Sequence, residues 1–252
     1  MQSDRAKVLH CVDEHSMLWH VLTQAHEAEV DFIVVVVGHQ AADVMSEARR
    51  WAEQHGRSVQ FAQQREQLGT GHAVQQAHRL VELCDAERVL VLSGDVPLLR
   101  AATLRRLLQA YDGAGERAQC SMLTFRASDP HGMGRIVRSE PNGGAVERIV
   151  EQKDCANEAE RAICEVNAGV YVFRWSSLRQ ALPQLQNDNA QNEYYLTDVV
   201  RMLTTLDVQG SAETQSGAVI AVALDESEQD EALGVNTRSQ LDHARHILQS
   251  RR

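Results

Sequence analysis

The first half of the chain shows two hydrophobic patterns, one helical and one strand-like. After Ser16, which can cap a helix, apolar residues recur at helical spacing from Met17 to Ala25. The short apolar run "DFIVVVVGH" (31–39) predicts a strand buried on both faces, and "RVLVLSGDVPLL" (88–99) predicts a second buried strand. The same patterns predict strands over 57–62 and 118–125, and helices over 41–54, 71–83 and 101–111. Strands that alternate with crossover helices indicate an open α/β sheet.

The pattern changes in the second half of the chain. The stretch "GRIVRSEPNGGAVERIVEQ" (134–152) predicts two strands around a Pro-Asn-Gly-Gly turn, which is a β-hairpin. The acidic run "DESEQDE" (225–231) is typical of a solvated linker. The remaining pattern predicts strands over 164–174 and 217–224, and helices over 175–183, 193–206 and 237–252. We therefore predict an α/β fold with a mixed, mostly parallel sheet flanked by helices and a small β-hairpin subregion.

Composition and charge narrow the class of protein. The formal net charge is −10 and the isoelectric point is about 5.5, which argues against binding nucleic acid by charge alone. No run of about 18 apolar residues occurs, and the polar start "MQSDRAKVLH" lacks the apolar core of a secretory signal. The five cysteines are odd in number and none are spaced as CxxC, which indicates reduced thiols. We expect a cytoplasmic protein that binds neither nucleic acid nor a membrane.

Several polar residues stand where a ligand could bind, and each also has a plainer explanation. Asp95 follows a predicted strand beside a glycine, which suits Mg²⁺ held with phosphate, or equally a turn that caps the next helix. The amide of Asn167 could bind sugar hydroxyls, but a strand-edge asparagine is the simpler interpretation. On local sequence, Asn236 favours a role flanking the last helix. Glu151 and Lys153 favour a surface ion pair.

The loop "QLGTGHAVQQA" (67–77) joins a predicted strand to a predicted helix. Two glycines around Thr70 suit phosphate binding, because backbone N–H groups there can approach an anion closely. A helix start or a plain turn explains the same letters, and an isolated Gly-Thr-Gly is a weak motif. Lysine occurs only at positions 7 and 153, so a phosphate that needs an ammonium group has only Lys7 and Lys153 available.

Seven stretches of the chain share their order and spacing with a known family. They are "QQREQLGTGHAVQQA", "VLVLSGDVPLL", "DPHGMGRIV", "VERIVEQKD", "EVNAGVYVF", "NDNAQNEYYLTDVV" and "GVNTRSQL". Together they resemble the uridylyltransferase domain of the bacterial N-acetylglucosamine-1-phosphate uridylyltransferases (GlmU), from "SDRAKVLH" to the terminal helix. The stretch "NAQNEYYLTD" separates this family from other sugar nucleotidyltransferases, and so disfavours enzymes for glucose 1-phosphate or a molybdopterin cofactor.

The resemblance implies a Rossmann-like nucleotidyltransferase domain over 1–224, followed over 225–252 by an acidic linker and a connecting helix. It implies that UTP and N-acetylglucosamine 1-phosphate are joined with Mg²⁺, giving UDP-N-acetylglucosamine and pyrophosphate. In-line attack on the α-phosphorus needs alignment and charge neutralisation rather than a protein nucleophile.

The family pattern also implies a role for each matching residue. Lys7 and Asp95 are the implied catalytic residues, and the hairpin subregion is the implied sugar-binding part. The implied contacts are Gln64, Gly69 and Thr70 with uracil; Ser93, Gly94 and Asp95 along the nucleotide; Gly134, Glu151 and Asn167 with the amino sugar; Lys7 and Lys153 with phosphates; and Asp95 and Asn236 with the metal.

The chain departs from the family pattern at both ends. Met1 falls on the last residue of the family's Leu-Ala-Ala-Gly-x-Gly-Thr-Arg-Met motif, so the first strand, the phosphate-gripping glycines and the arginine implied to stabilise the triphosphate fall before it. Arg5 and Ala6 replace the usual Leu-Pro. The chain stops on the connecting helix, ahead of the family's acetyltransferase β-helix. We therefore expect no acetyl-CoA site, and a monomer or weak oligomer.

The resemblance also implies that the departure from the family pattern at the start of the chain affects stability and activity. Without the first strand, a neighbouring strand is expected to keep unpaired backbone groups, and an arginine and backbone clamp can contribute about 10³–10⁵ in rate. We expect the chain as written to be poorly stable and weakly active, and its coding sequence to extend upstream of Met1, which the in-frame upstream DNA tests. The alternative function is a sugar-nucleotide-binding remnant without turnover.

Overall fold

A computed structural model describes residues 5–140, 143–205 and 218–251. The strands are β1 Cys11–Val12, β2 His15–Ser16, β3 Ile33–Val37, β4 Val59–Gln63, β5 Arg88–Val91, β6 Cys120–Arg126, β7 Arg135–Arg138, β8 Val146–Val150, β9 Glu165–Arg174 and β10 Val219–Ala223. The helices are α1 Met17–Glu27, α2 Ala41–Gln54, α3 Thr70–Leu83, α4 Ala101–Gly113, α5 Glu158–Arg161, α6 Trp175–Ala181, α7 Thr197–Thr205 and α8 Arg238–Ser250. None of the helices described is both long and apolar enough to cross a membrane.

The described strands form one large sheet and two small ones. In the large sheet, β9 runs antiparallel to β6 along one edge and to β5 and β7 along the other. β10 adds to β6 in parallel, and β8 pairs with β7 as the predicted hairpin, whose turn residues 141–142 lie outside the described residues. β3 and β4 form a separate parallel pair, and β1 and β2 a short antiparallel one. The predicted α/β fold with a mixed sheet flanked by helices is confirmed. Of the seven pairings between the described strands, two are parallel and five are antiparallel, so the part of the prediction that expected mostly parallel strands does not describe these pairings.

A cavity of about 1860 Å³ lies between β3 and β5 and is lined by both strands. Among the described residues β3 pairs with β4 alone, and β5 pairs with β9 alone. Val34 and Val36 of β3 are only half-buried, and so is Val91 of β5. Ile33, Val35 and Val37 of β3 are buried, so the prediction of burial on both faces at 31–39 is right for one face of that strand and wrong for the other. The buried strand predicted at 88–99 is observed over Arg88–Val91, but its apolar residues are only half-buried, so its predicted burial is wrong.

Most predicted helices are observed within a residue or two of the expected bounds, and local chemistry explains their starts. The Ser16 hydroxyl accepts a hydrogen bond of 3.1 Å from the Trp19 N–H, so α1 begins with its orphan donor satisfied. Thr237 caps α8 in a capping box with Gln240. α8 then buries Leu241 in a cluster that contains Met17.

The helix predicted over 193–206 begins only at Thr197. The backbone of Tyr194 is already paired, since its N–H donates to Leu68 O at 2.8 Å and its carbonyl accepts from Gly71 N at 2.7 Å. Leu196 N also donates to the Thr70 hydroxyl at 3.2 Å. Residues 193–196 are therefore held in a non-helical conformation against the 67–77 loop, and the predicted helix start is wrong by four residues.

The prediction of a solvated linker over the acidic run 225–231 is also wrong. It forms a 3-10 helix over Glu226–Ala232, in which the Glu231 side chain is buried. Its carboxylate accepts hydrogen bonds from the Thr103 hydroxyl at 2.6 Å and the Arg100 N–H at 3.1 Å. A buried carboxylate with such partners belongs to the packed structure, so this segment docks against the start of α4.

Candidate functional site

Three polar side chains from distant parts of the sequence meet beyond the end of β5. Lys7, in a 3-10 turn over Lys7–Leu9, pairs with the Asp95 carboxylate through Nζ and Oδ2. The same ammonium donates to the Asn236 side-chain Oδ1 at 2.8 Å. Val235 N donates to Asp95 O at 2.9 Å, which joins the two loops that carry these oxygens. One carboxylate oxygen and one amide oxygen thus converge on a single cation.

The donor set of this cluster suits a hard divalent cation. Mg²⁺ prefers oxygen ligands and is usually bound by one or two protein groups together with water and phosphate oxygens. Asp95 and Asn236 provide two such oxygens, and the Lys7 ammonium already lies between them. Within the described part of the chain, no group of three or more His, Cys, Asp or Glu could hold a metal by itself. A metal bound here would therefore need further oxygens from a ligand or from water.

The loop after β5 packs closely on the N-terminal turn. A Cβ added to Gly94 would lie 3.1 Å from Val8 Cγ1, which is tighter than an ordinary contact. Ser93 and Gly94 both line the cavity, and so does Val8. The glycine therefore brings the Lys7 turn and the Asp95 loop together at the cavity wall.

The glycines of the 67–77 loop serve packing of the backbone. Gly69 has φ +100°, where a Cβ would lie 2.8 Å from Tyr194 O, and a Cβ on Gly71 would lie equally close to that oxygen. The Gln64 amide closes the loop by donating to Gly69 O at 3.0 Å, and its Nε2 lies 3.1 Å from His72 Nδ1. The loop can thus approach residues 193–195 closely while Gln64 and Thr70 line the cavity.

A second group of residues joins β7, β8, β9 and α7. Asn167 N donates to Gly134 O at 2.9 Å, and a Cβ on Gly134 would lie 3.4 Å from Glu151 Oε1. The Thr197 hydroxyl donates to that Oε1 at 3.0 Å. Burial raises the pKa of Glu151, and the hydrogen bond from Thr197 opposes that rise. Glu151 and Asn167 are therefore both held next to Gly134.

The amide of Asn167 is fixed at both ends. Its Nδ2 donates to the Tyr171 hydroxyl at 2.6 Å, and its Oδ1 accepts from the Gly169 N–H at 3.0 Å. The two side chains can meet because β9 bulges: residues 168–170 lie opposite Leu123 alone, and Gly169 has φ +71°. Burial raises the pKa of the Tyr171 phenol, so it stays protonated at neutral pH.

Lys153 lies apart from Glu151. Its ammonium donates to Gln191 Oε1 at 3.0 Å, and the neighbouring Asp154 accepts from Ala190 N at 2.9 Å and from the Tyr195 hydroxyl at 3.2 Å. Burial raises the pKa of Tyr195 to about 12. The surface ion pair suggested for Glu151 and Lys153 is not formed between these two described side chains, and Lys153 instead ties the segment after β8 to the segment before α7.

The cavity gathers much of the predicted site. Its lining includes six of the predicted residues, namely Gln64, Thr70, Ser93, Gly94, Glu151 and Asn167. Gly69 and Gly134 contact members of that set. Lys7, Asp95 and Asn236 form the adjoining cluster, which reaches the lining through Val8 and Gly94. Lys153 is not part of the lining.

Two residues in this arrangement were missed from the sequence. Thr197 contacts Glu151 and lies in the quoted stretch "NDNAQNEYYLTDVV", so a hydroxyl in that stretch was an available signal. Tyr171 contacts Asn167 four residues away. In a regular strand that spacing puts two residues about 13 Å apart, so only a predicted bulge at Gly169 could have pointed to this contact.

Comparison with known proteins agrees with this architecture. The profile of the family described as "Nucleotidyl transferase" matches residues 2–216. The chain is 46% identical over 252 residues to the "Bifunctional protein GlmU" of Limosilactobacillus fermentum, covering all of this chain and 50% of that protein. It is 41% identical over 251 residues to the protein of the same name from Mycolicibacterium smegmatis, covering 49% of that protein. It is 50% identical over 203 residues to the one from Acidovorax sp. strain JS42, covering 80% of this chain and 41% of that protein. The chain thus spans about half the length of these curated relatives or less, and it belongs to the nucleotidyl transferase family.

Proposed function

We propose that this protein transfers a uridylyl group from UTP to N-acetylglucosamine 1-phosphate, giving UDP-N-acetylglucosamine and pyrophosphate. A phosphate oxygen of the sugar attacks the α-phosphorus of UTP, and the bond from that phosphorus to the leaving pyrophosphate breaks. The single observation that carries the proposal is the shared cavity, which is lined by Gln64 and Thr70, by Ser93 and Gly94, and by Glu151 and Asn167.

Each part of this cavity offers chemistry that suits one part of the substrates. An amide such as Gln64 can pair with the edge of a base, since it both donates and accepts. Glu151 and Asn167 offer an acceptor-rich surface suited to the hydroxyl and acetamido groups of a sugar. In this proposal uracil is read by Gln64, Gly69 and Thr70, and the amino sugar by Gly134, Glu151 and Asn167.

Charge neutralisation is assigned to the cluster beside the cavity. Asp95 and Asn236 would hold Mg²⁺, which when bound withdraws charge from the phosphates it contacts. Lys7 is proposed to contact the same phosphates, and Lys153 is a further candidate phosphate contact. We also propose that the protein is cytoplasmic and a monomer or weak oligomer. Residues 1–224 are proposed to form the catalytic domain, and residues 225–252, the connecting segment, supply Asn236 to its site.

Binding of UDP-N-acetylglucosamine without turnover is the second candidate function. The observation that favours it is the cavity between β3 and β5, where the strand residues in the lining are mainly valines such as Val34, Val36 and Val91. A triphosphate needs N–H donors or cations around its charges. Valine side chains supply neither, and two arginines of the lining, Arg88 and Arg179, are already paired with Asp112 and Glu82. A chain with the proposed uracil and sugar contacts could therefore bind the product and still turn over slowly.

The test is pyrophosphate release from UTP and N-acetylglucosamine 1-phosphate in the presence of Mg²⁺. We expect release that depends on both substrates and is slower with glucose 1-phosphate. Tight binding of UDP-N-acetylglucosamine with no release supports the second candidate. Faster release with glucose 1-phosphate, or neither release nor binding, contradicts the substrate assignment.

A further inference from the structure

We propose that the Lys7 ammonium is the resident cation of the Asp95–Asn236 pair, and that a divalent metal must displace it in order to bind. This inference rests on the proposed function only for the assignment of those two residues as metal ligands. It adds that Lys7 and the metal compete for the same oxygens, and that metal binding releases Lys7 toward a phosphate.

The contacts of Lys7 carry this inference. Its Nζ reaches Oδ2 of Asp95 and Oδ1 of Asn236 at the same time, and these two oxygens come from loops 141 positions apart in the sequence (236 − 95). A Cβ on Gly234 would lie 3.6 Å from both Asp95 Oδ2 and Asn236 Nδ2, so the two side chains meet over a glycine. The ammonium therefore bridges the pair rather than neutralising one carboxylate.

Geometry makes the two cations mutually exclusive. An oxygen that ligates Mg²⁺ lies about 2.0–2.1 Å from the ion and directs lone pairs at it. An ammonium held between the same two oxygens would lie against the ion and would be repelled by its two charges. Because Lys7 uses the single amide oxygen of Asn236 and Oδ2 of Asp95, a metal bound to these two oxygens takes the position that the ammonium occupies.

The Lys7 side chain is able to leave. It is 42% exposed, whereas the Asp95 side chain is 19% exposed. Lysine has a flexible four-carbon stem, and an exposed ion pair is weak. The carboxylate thus stays in place while the ammonium can swing into solvent or toward a ligand.

Replacement of the ammonium by a divalent metal makes the charge of the site more positive, which favours binding of an anion. Asp95 and Lys7 together carry a formal charge of zero (−1 + 1). A bound divalent metal brings the same group to +2 (−1 + 1 + 2), with the ammonium no longer paired. A triphosphate is then attracted both by the metal and by Lys7. The internal pair thereby keeps the cluster neutral in the absence of metal and makes anion binding depend on metal loading.

The first experiment measures Mn²⁺ affinity by electron paramagnetic resonance on the full chain without nucleotide. We expect Lys7→Met to bind Mn²⁺ about fivefold more tightly than the unsubstituted chain, because an exposed ion pair that opposes binding is worth up to about that factor. The matched control is Arg245→Met, which removes one positive charge from an ion pair with Asp242 that lies outside the cavity lining and whose cation is as exposed as Lys7. It should leave Mn²⁺ affinity unchanged. Asp95→Asn should weaken Mn²⁺ binding at least about tenfold.

A second measurement avoids substitutions altogether. The chain contains two lysines, so ¹⁵N-lysine labelling gives one Nζ signal from Lys7 and one from Lys153. Titration with Mg²⁺ should shift the Lys7 signal and accelerate the exchange of the Lys7 ammonium protons with water. The signal of Lys153, whose ammonium donates to Gln191, should not respond.

The possible outcomes separate this inference from the proposed function. Mn²⁺ affinity of Lys7→Met that equals or falls below that of the unsubstituted chain overturns the inference, and so does a Lys7 signal that ignores Mg²⁺. Absent Mn²⁺ binding, or binding that Asp95→Asn leaves intact, overturns the metal assignment itself and this inference with it. Tighter binding in Lys7→Met together with loss in Asp95→Asn supports both.

Discussion

The two strand-built walls of the cavity differ in how they are completed. The closed wall, defined here as Gly134, Glu151, Asn167, Tyr171 and Thr197, joins three strands and a helix through direct hydrogen bonds. The open wall, defined as β3 and β5, presents valines and one strand edge each to the cavity. The comparison teaches that direct hydrogen bonds can hold Glu151 and Asn167 in place although β3 and β5 do not pair with each other among the described residues.

The physical cause of the difference lies in the neighbours of each strand. β9 has partners along both edges, so its bulge is held in shape and can position Asn167 against Tyr171. β3 and β5 each have one partner among the described strands, so no described strand lies along the other edge of either one. We therefore expect substitutions in the two walls to affect different properties.

The largest expected effect lies at the end of the open wall. Asp95→Asn should reduce the rate of pyrophosphate release by about 10²–10³, because it removes the only carboxylate of the Lys7 cluster from the transition state. Asp242→Asn, which removes a carboxylate from an exposed ion pair with Arg245 outside the cavity lining, is the matched control and should keep the rate within about twofold. Similar rates for the two variants would show that Asp95 does not act in the reaction.

The second prediction concerns the close contact between Gly71 at the start of α3 and Tyr194, in the segment before Thr197. Gly71→Ala places a Cβ 2.5 Å from Leu185 Cδ1 and 2.8 Å from Tyr194 O, so we expect a loss of about 1–3 kcal/mol in unfolding free energy. Gly113→Ala at the end of α4 meets nothing within 4 Å and should be neutral or slightly stabilising. Urea unfolding of both variants checks this. Equal stabilities would mean that the close approach at Tyr194 is not maintained.

A smaller effect tests whether the closed wall positions Asn167. Tyr171→Phe removes the hydroxyl that accepts from Asn167 Nδ2, and we expect UDP-N-acetylglucosamine affinity to fall about fivefold while UDP affinity is unchanged. Asn167→Ala and the double variant complete a double-mutant cycle measured by calorimetry. Additive losses, or an equal loss for UDP, would mean that Tyr171 acts only through general stability.

The smallest effect concerns pH. Burial raises the pKa of Glu151 above its ordinary value of 4.5, so the folded chain holds this proton more tightly than the unfolded chain. The ionised carboxylate therefore costs stability above the raised pKa, and that cost disappears as pH falls to the ordinary value. Glu151→Gln should be more stable than the unsubstituted chain at pH 8 and equal to it at pH 4. The exposed Glu158→Gln should show no such pH-dependent difference in urea unfolding. A pH-independent difference for Glu151→Gln would contradict this assignment.

Most secondary structure could be predicted because it depends on local signals. The Ser16 cap and the apolar spacing that follows it fix the start of α1, and α2 runs from Ala41 to Gln54 as its pattern predicts. The half-burial of Val34 and Val36 in β3 could not be predicted, because periodicity reports which residues are apolar and does not report which strand lies beside them. The late start of α7 depends on backbone bonds from Tyr194 to Leu68 and Gly71, more than 120 residues earlier.

Prediction of the candidate site was limited in the same way, because local sequence does not show which residues meet in the folded chain. On local sequence, Asp95, Asn167 and Asn236 each had a plain structural explanation, and their roles came from the family pattern. The convergence of Asp95 and Asn236 on Lys7 and the contact of Thr197 with Glu151 follow from tertiary structure. The burial of Glu231 was missed for the same reason, since its partner Thr103 lies 128 positions away.

Calorimetric titration with UDP-N-acetylglucosamine and UDP-glucose tests most directly whether the closed wall is a sugar-recognition surface joined to a uridine site. We expect both ligands to bind at one site per chain, with UDP-N-acetylglucosamine at least about tenfold tighter. Equal affinities, or a preference for UDP-glucose, would contradict recognition of the amino sugar by Gly134, Glu151 and Asn167.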